Sequence, residues 1–324
     1  MKDSFIFRDY QRGDEYEILT LYKQVNEREM TSAHWKWKFE ENPSGKSVIK
    51  LMFDDKKLIG FYAVIPTNVQ VGRNLVKAAL SVNTMTHPDY RGQGIFAYLG
   101  KEAYQVCEQK GVKFVYGFPN NNIYQSRIKK LEWKGFGKMS VLQRDLKIRG
   151  DVVSRAKNIH EIDKFDVRVN SLWGKVRANY CVIVPRTMDF LNWRFVQHPT
   201  TEYSKYIFAD KVNDVVGYVV LKIYARGDEI QGHIIDMLCI DEKDVVESLL
   251  GFSYDYFIKR GIRSLSCWMP DVSFYAQVLK EGGFTRGEFE TYFGVKTLDK
   301  EDRLLRNVEQ LDNWHLTMCD SDVF

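Results

Sequence analysis

Apolar positions follow two periods along the chain. Over Val48 to Phe53, Leu58 to Thr67 and Lys77 to Thr86 they alternate with polar ones and are rich in β-branched and aromatic residues, which predicts strands. Polar helices are predicted ahead of them, at Asp14 to Asn26 and Ala33 to Glu41. Behind them an amphipathic helix runs from Ile95 to Lys110, with Gly111 as its C-cap. The short apolar run Phe114 to Phe118 reads as a buried strand, and another helix spans Ile123 to Lys130.

The second half echoes the first at an offset of roughly 150 residues. Trp37-Lys38-Phe39 followed by Pro43 recurs as Trp193-Arg194-Phe195 followed by Pro199. Lys57 to Ile65 recurs as Asp214 to Ile223, and Gln109 to Asn121 as Lys259 to Asp271, which sets Gly111 against Gly261 and Pro119 against Pro270. Ordered matches of this kind imply a duplicated domain. The segment Leu146 to Asp166, charged and poor in aromatics, is the natural connector, so the halves are expected to be residues 1–148 and 149–324.

Composition narrows the class. A chain of 324 residues has room for about two domains. With 44% hydrophobic and 28% charged residues it is an ordinary globular sequence, neither disordered nor membrane-embedded. Lys and Arg exceed Asp and Glu by 47 to 43, a formal charge of +4, too thin to argue for nucleic acid yet able to attract a phosphorylated small molecule if focused in one cleft. The five cysteines are scattered, with no zinc spacing, which reads as reduced thiols of a cytoplasmic protein without a metal. No apolar run is long enough to span a membrane, and the start lacks a signal-type h-region. The aromatic share, 14%, supplies core and could also stack on a ring-shaped ligand.

The most specific string is Thr86-His87-Pro88-Asp89-Tyr90-Arg91-Gly92-Gln93-Gly94-Ile95-Phe96, between a strand and a helix. Closely spaced glycines there let the backbone turn sharply and point successive N–H groups at one spot, where the positive end of the helix adds to them; this is an anion site for phosphate or pyrophosphate. It is not a Walker loop, because no Lys-Ser/Thr follows, nor a dinucleotide fingerprint, because GxGxxG is absent.

Arg91-Gly92-Gln93-Gly94-Ile95-Phe96 resembles the acyl-CoA signature of the GNAT acyltransferase superfamily, Arg/Gln-x-x-Gly-x-Gly/Ala. Pro119-Asn120-Asn121 and Leu131-Glu132-Trp133 stand where that superfamily has its Asn-containing turn and its Gly-Phe. The resemblance implies an α/β architecture of two tandem GNAT-like domains, each a central mixed β-sheet flanked by helices. It also implies that the amides of Arg91, Gly92, Gln93, Gly94, Ile95 and Phe96 hold the CoA pyrophosphate, that Val82 to Thr86, including Thr84, Met85 and Thr86, pairs with the pantetheine arm, and that Asn121 lies near that arm.

Departures from the pattern bear on mechanism. Phe96 replaces Gly or Ala, and Lys56 through Pro88 contains no acidic residue, so the carboxylate base many GNAT enzymes carry on that strand is ruled out. The Tyr that protonates the CoA thiolate in many relatives falls on Ile128 when the halves are aligned on Pro119 and Pro270, or on Leu131 when Gly135-Phe136 is the anchor. The second half offers Cys239 to Leu250 in place of the loop, without glycine and with several acids. One CoA site is expected, in the first half, with the second half as acceptor wall or support.

The remaining catalytic candidates are four. Asn83 could bind the acyl oxygen or the acceptor; His34, among Trp35 and Trp37, is the first choice for a base; Asp236, in the apolar run His233 to Ile240, is an acid on a buried strand; and Tyr124 could serve as the thiolate's acid. Some multidomain GNAT proteins bring their C-terminal carboxylate to the active site, which Phe324 would permit here. The resulting expectation is an acyl-CoA-dependent N-acyltransferase, with no metal. It would act on the amine of a nucleotide-linked amino sugar by direct attack on the thioester and resemble the two-domain GNAT enzymes of bacterial surface-polysaccharide biosynthesis, as a monomer that engages neither nucleic acid nor membrane. The alternatives are an aminoglycoside, polyamine or protein amine as acceptor, or a non-catalytic CoA-binding module.

Overall fold

The computed structural model describes residues 4–146, 158–226, 229–270 and 273–324; the boundary expected at 148/149 lies outside them. In chain order the elements are β1 (Phe5–Asp9), α1 (Glu15–Asn26), α2 (Ser32–Phe39), β2 (Val48–Asp54), β3 (Lys57–Val71), β4 (Asn74–Thr86), α3 (Ile95–Gln109), β5 (Phe114–Gly117), α4 (Asn121–Leu131) and β6 (Lys134–Asp145). They continue with β7 (Ile159–Glu161), α5 (Arg168–Val176), β8 (Val182–Ile183), α6 (Met188–Phe195), β9 (Ser204–Ala209), β10 (Val215–Arg226), β11 (Glu229–Cys239), α7 (Lys243–Ile258), β12 (Ser264–Trp268), α8 (Phe274–Glu281) and β13 (Thr285–Thr297). Every helix and strand expected in the first half is present; β1 and β6 are additions.

The chain forms two units, neither of them a contiguous half. The first comprises Met1–Val69, Asn74–Gly137 and Tyr292–Glu309; the second comprises Gln70–Arg73, Lys138–Thr291 and Gln310–Phe324. The final strands are exchanged. In the first unit β5 pairs antiparallel with β13, Gly117 opposite Gly294 and Phe114 opposite Thr297. In the second, β12 pairs antiparallel with β6, Trp268 opposite Val141 and Ser264 opposite Asp145. The strand order is β1-β2-β3-β4-β5-β13 in the first unit and β6-β12-β11-β10-β9-β7 in the second.

Both sheets are mixed in the same way, with β4 parallel to β5 and β11 parallel to β12. Gly111 and Gly261, both at φ +76°, follow α3 and α7. Lys38 and Arg194, at matching places in α2 and α6, are equally buried, at 3% exposure. The duplication read from the sequence is thus repeated in elements, strand direction and burial.

In the first unit α3 packs Ile95, Leu99, Ala103 and Cys107 against Met52, Tyr62, Val64 and Ala79. The helix approaches closely because residue 60 is glycine: a Cβ there would stand 2.5 Å from Ile95 Cγ2 and 2.9 Å from Leu99 Cδ1. Trp35 and Phe39 of α2 form a tilted pair at 4.4 Å, and Phe61 of β3 lies edge-on to both. In the second unit α7 contributes Val246, Leu249, Leu250 and Phe257 to a core with Leu221, Ile234 and Met237.

The second unit also buries an ionic cluster. Arg186, fully enclosed, donates Nε to Asp236 Oδ2 at 3.1 Å and Nη2 to Asp320 Oδ2 at 2.8 Å. Close by, His315 lies between Tyr180 and Tyr275, with ring centroids 4.7 and 5.6 Å away, and neither ring nitrogen has a hydrogen-bond partner. Burial, reinforced by the Arg186 charge, pushes its pKa down to about 3; burial and Lys222 push that of His233 down to about 4. Both rings are neutral when folded but take up a proton near pH 6.5 when unfolded, so stability is lost as the pH falls below about 6.5, at up to about 1.4 kcal/mol per pH unit for each ring. His315→Leu is therefore expected to flatten the fall in urea-unfolding free energy between pH 6.5 and 4; an unaltered slope would contradict the neutral buried imidazole.

Candidate functional site

Three contacts hold the connection from β4 to α3. The His87 N–H donates to Ile59 O at 2.9 Å, pinning the exit of β4 to β3. His87 Nδ1 accepts the Asp89 N–H at 3.3 Å, capping the short turn Pro88–Tyr90. Burial, helped by Lys57, holds the His87 pKa below the usual histidine range, which keeps that nitrogen an acceptor. Tyr90 then donates its hydroxyl to Asp54 Oδ2 at 2.9 Å.

Arg91 to Gly94 follow on this anchored base. Gly92 and Gly94 take φ of +82° and +84°, a left-handed conformation that favours glycine, and a Cβ at either would meet no atom within 4 Å. Gly94 is the N-cap of α3, no side chain caps the helix, and its first turn carries no acidic residue. The first-turn N–H groups of a 15-residue helix thus meet no capping side chain and have the positive end of its dipole behind them. A pyrophosphate fits this cradle: its donors are backbone amides, and the missing side chains leave room for it.

The neighbouring strand parts from β5 where a pantetheine arm would need an open edge. The β4–β5 ladder covers only Ala78 to Leu80, opposite Phe114 to Tyr116, and β4 runs on to Thr86. Within that stretch Asn83 adopts φ +44°, a left-handed kink in a strand, and its Oδ1 is buried without a hydrogen-bond partner. Thr84 and Thr86 are half-buried, and Met85 is buried, its sulfur 3.7 Å from Asn26 Nδ2 of α1. Asn83, Thr84, Met85, Thr86 and the loop Arg91 to Phe96 therefore occupy one continuous path from β4 to α3.

The other candidates are distributed differently. Asn121 is the first residue of α4 and accepts the Tyr292 hydroxyl at 3.1 Å, while Asn120 caps the helix. His34 lies in the first turn of α2, edge-on to Trp37 at 5.3 Å. Tyr124 is directed toward β6: its hydroxyl oxygen accepts the Gly137 N–H at 2.7 Å, and its ring lies tilted against that of Tyr292 at 4.2 Å. The expectation of a catalytic Asp236 is corrected. It is fully enclosed, and besides Arg186 it accepts the hydroxyls of Tyr218 at 2.6 Å and Thr317 at 2.7 Å, so every lone-pair direction is engaged in holding the second unit together. The main-chain oxygen of Phe324 accepts from Arg194 and from the Tyr203 hydroxyl, again within the second unit.

That unit has no loop of its own. Only Ile240, Asp241 and Glu242 join β11 to α7, against the eight residues from His87 to Gly94, and Asp244 sits in the helix's first turn. No group of three or more His, Cys, Asp or Glu able to hold a metal occurs among the described residues. Among them, too, no helix is long and apolar enough to cross a membrane.

Among the buried charges that escaped the sequence reading, one lies beside this path. Arg127 of α4 is 4% exposed, its guanidinium 4.5 Å from the Trp133 ring centroid and 5.8 Å from that of Phe96. Its signal was helical spacing: Arg127 shares the buried stripe of α4 with Tyr124 and Leu131, where a charge is out of place.

Comparison with known proteins agrees with this geometry. Residues 7–133 match a family model described as Acetyltransferase (GNAT) domain. No curated protein matches the chain in sequence. Among solved structures, a GCN5-related N-acetyltransferase from Anabaena variabilis ATCC 29413 is 14% identical with a TM-score of 0.67, over 91% of this chain and 73% of that one. A conserved protein of unknown function from Enterococcus faecalis V583, a probable N-acyltransferase, is 14% identical with a TM-score of 0.71, over 91% and 72%. Saccharomyces cerevisiae N-myristoyltransferase with bound myristoyl-CoA is 11% identical with a TM-score of 0.64, over 92% and 80%. At these identities the likeness is one of fold. The mixed α/β fold is that of GNAT proteins, and the match over residues 7–133 supports an acyl-CoA-dependent N-acyltransferase.

Two substitutions separate binding from support. Gly94→Val forces a β-branched residue into the left-handed region, at about 1–2 kcal/mol, and sets methyl groups over the amides. The Kd for CoA is expected to rise at least about tenfold, a loss of about 1.4 kcal/mol; calorimetric titration giving an unchanged Kd would refute the cradle. Asp236→Ala strands the Arg186 charge and is expected to lower unfolding free energy by about 3–5 kcal/mol while the protein that remains folded binds CoA normally.

Proposed function

We propose that the first unit transfers an acyl group from acyl-CoA to the amine of a nucleotide-linked amino sugar, and that the protein does so as a cytoplasmic monomer. The observation that carries the reading is the uncapped start of α3 behind the left-handed Gly92 and Gly94, beside a strand whose pairing with β5 stops at Leu80. Amides of that strand can donate to the oxyanion formed when the amine attacks the thioester carbonyl. Asn83 Oδ1 can accept an N–H of the incoming amine, orienting its lone pair.

No carboxylate lies on the chain from Lys56 to Pro88, which suits an amine that arrives largely unprotonated. The amine of an amino sugar is a weaker base than that of lysine and meets this condition near neutral pH. The formal charge of +4 suits an acceptor bearing a diphosphate better than a polycation.

Thiol release is the direct test, with acetyl-CoA and longer acyl-CoAs against nucleotide amino sugars, aminoglycosides, polyamines and peptides. Turnover is expected with the nucleotide sugars, and Asn83→Gly, which keeps the left-handed backbone, is expected to lower kcat/KM without changing the Kd for CoA. Preference for a cationic acceptor would overturn the sugar assignment, and CoA binding without turnover on any amine would mark a binding module.

A further inference from the structure

Arg127 is a buried cation without an anion. One terminal nitrogen, Nη1, donates to the Tyr62 hydroxyl and to Ser81 Oγ, both at 2.9 Å. Nε has no partner, and no carboxylate pairs with the guanidinium among the described residues. A charge removed from water in this way is strongly unfavourable unless something of opposite sign meets it.

The surrounding cluster has too many protons for its acceptors. Ser81 Oγ donates to the Tyr62 hydroxyl at 3.3 Å, Tyr62 and Tyr104 share a hydrogen bond at 2.6 Å, and Trp133 Nε1 donates to Tyr104 at 2.8 Å. Three hydroxyls share two contacts, and each contact uses one proton. With Ser81 donating to Tyr62, one tyrosine proton is left over, together with the Arg127 Nε–H. A positive, donor-rich cluster of this composition calls for an anionic atom.

Its position indicates which one. Ser81 is the first residue of β4 past its ladder with β5 and lies two residues before Asn83, while Arg127 reaches Phe96 in the first turn of α3. The cluster therefore backs the free stretch of β4 and the start of the glycine-loop helix together. The position where a GNAT phenol would protonate the sulfur is Ile128, an aliphatic residue, and Tyr124 is directed toward Gly137 instead.

We propose that Arg127, acting through the Ser81 hydroxyl, stabilises the CoA thiolate as it departs, in place of the phenol the chain lacks. The proposal rests on the acyl-CoA reading. As the amine nitrogen forms its bond to the acyl carbon, the C–S bond breaks and its electron pair stays on sulfur. The surplus amine proton passes to solvent, and the thiolate, held by the Ser81 O–H as it turns from its long bond to Tyr62 and by the nearby Arg127 charge, takes up a proton from solvent on release. Arg127 is thus a positioning residue for the leaving group rather than a proton donor.

The test reads the sulfur without turnover. Ultraviolet thiolate absorbance is followed against pH for CoA alone and for CoA bound to the wild type, Arg127→Lys, Arg127→Met and Ser81→Ala. In the wild type the bound thiol is expected to ionise about one pH unit or more below free CoA. Arg127→Met and Ser81→Ala should return it toward the free value, and Arg127→Lys should keep most of the shift. In turnover Arg127→Met should lower kcat by about 10²-fold, with the loss recovered on thioesters of more acidic thiols. A wild-type thiol that ionises as in free CoA overturns the proposal, as does a shift that survives in folded Arg127→Met; if Arg127→Met does not fold, the wild type and Ser81→Ala decide. Wild-type protein that binds no CoA overturns the acyl-CoA reading and this proposal with it, whereas binding with an unshifted thiol overturns this proposal alone.

Discussion

Helix α3 lies on strand β3 with no side chain between them at residue 60. A Cβ at Gly60 would collide with Ile95 and Leu99, so the first turn of the helix is set directly on the sheet. That close approach aims the helix's positive end along the outgoing β4, and the His87 to Ile59 hydrogen bond ties the strand's exit to the same point of β3. The glycine loop is consequently a short bridge between two fixed ends. Its two left-handed residues turn the backbone while the sheet and helix hold still, the arrangement a preformed anion cradle requires.

The second unit shows what the same scaffold becomes without the bridge. β11 and α7 correspond to β4 and α3, but three residues join them and two of those are acidic. Burial raises the Asp241 pKa, although its bond to Asn179 opposes this, and Asp244 occupies the helix's first turn, so the dipole is met by the protein's own carboxylates. An unbound helix start in one copy and a neutralised one in the other is a difference in chemistry carried by an eight-residue loop.

Much of the first unit was legible in the sequence, because its strands alternate cleanly and its helices carry apolar stripes. The glycine loop was legible for a different reason: left-handed turns at Gly92 and Gly94 favour one residue type. The exchange of β6 and β13 was not, since each strand follows its own half in sequence and only pairing shows which sheet it completes. Asp236 was legible as buried, but its partners Arg186 and Thr317 lie 50 and 81 residues away, and nothing local distinguishes a satisfied carboxylate from a reactive one. Arg127 was readable from spacing and was missed because basic residues near a helix C-terminus ordinarily complement the dipole from the surface.

Arg186 and Arg127 meet the cost of burying a guanidinium in opposite ways. Arg186 has two carboxylates and a carbonyl around it, and its charge is more than cancelled where it stands. Arg127 has two hydroxyls and three aromatic faces, which lessen its desolvation but supply no negative charge. Hydroxyl and ring dipoles reorient around a charge without cancelling it, so the field of Arg127 extends beyond its own contacts to the adjoining stretch of β4. In a low-dielectric interior such a field acts most strongly on a charge that appears close by during a reaction.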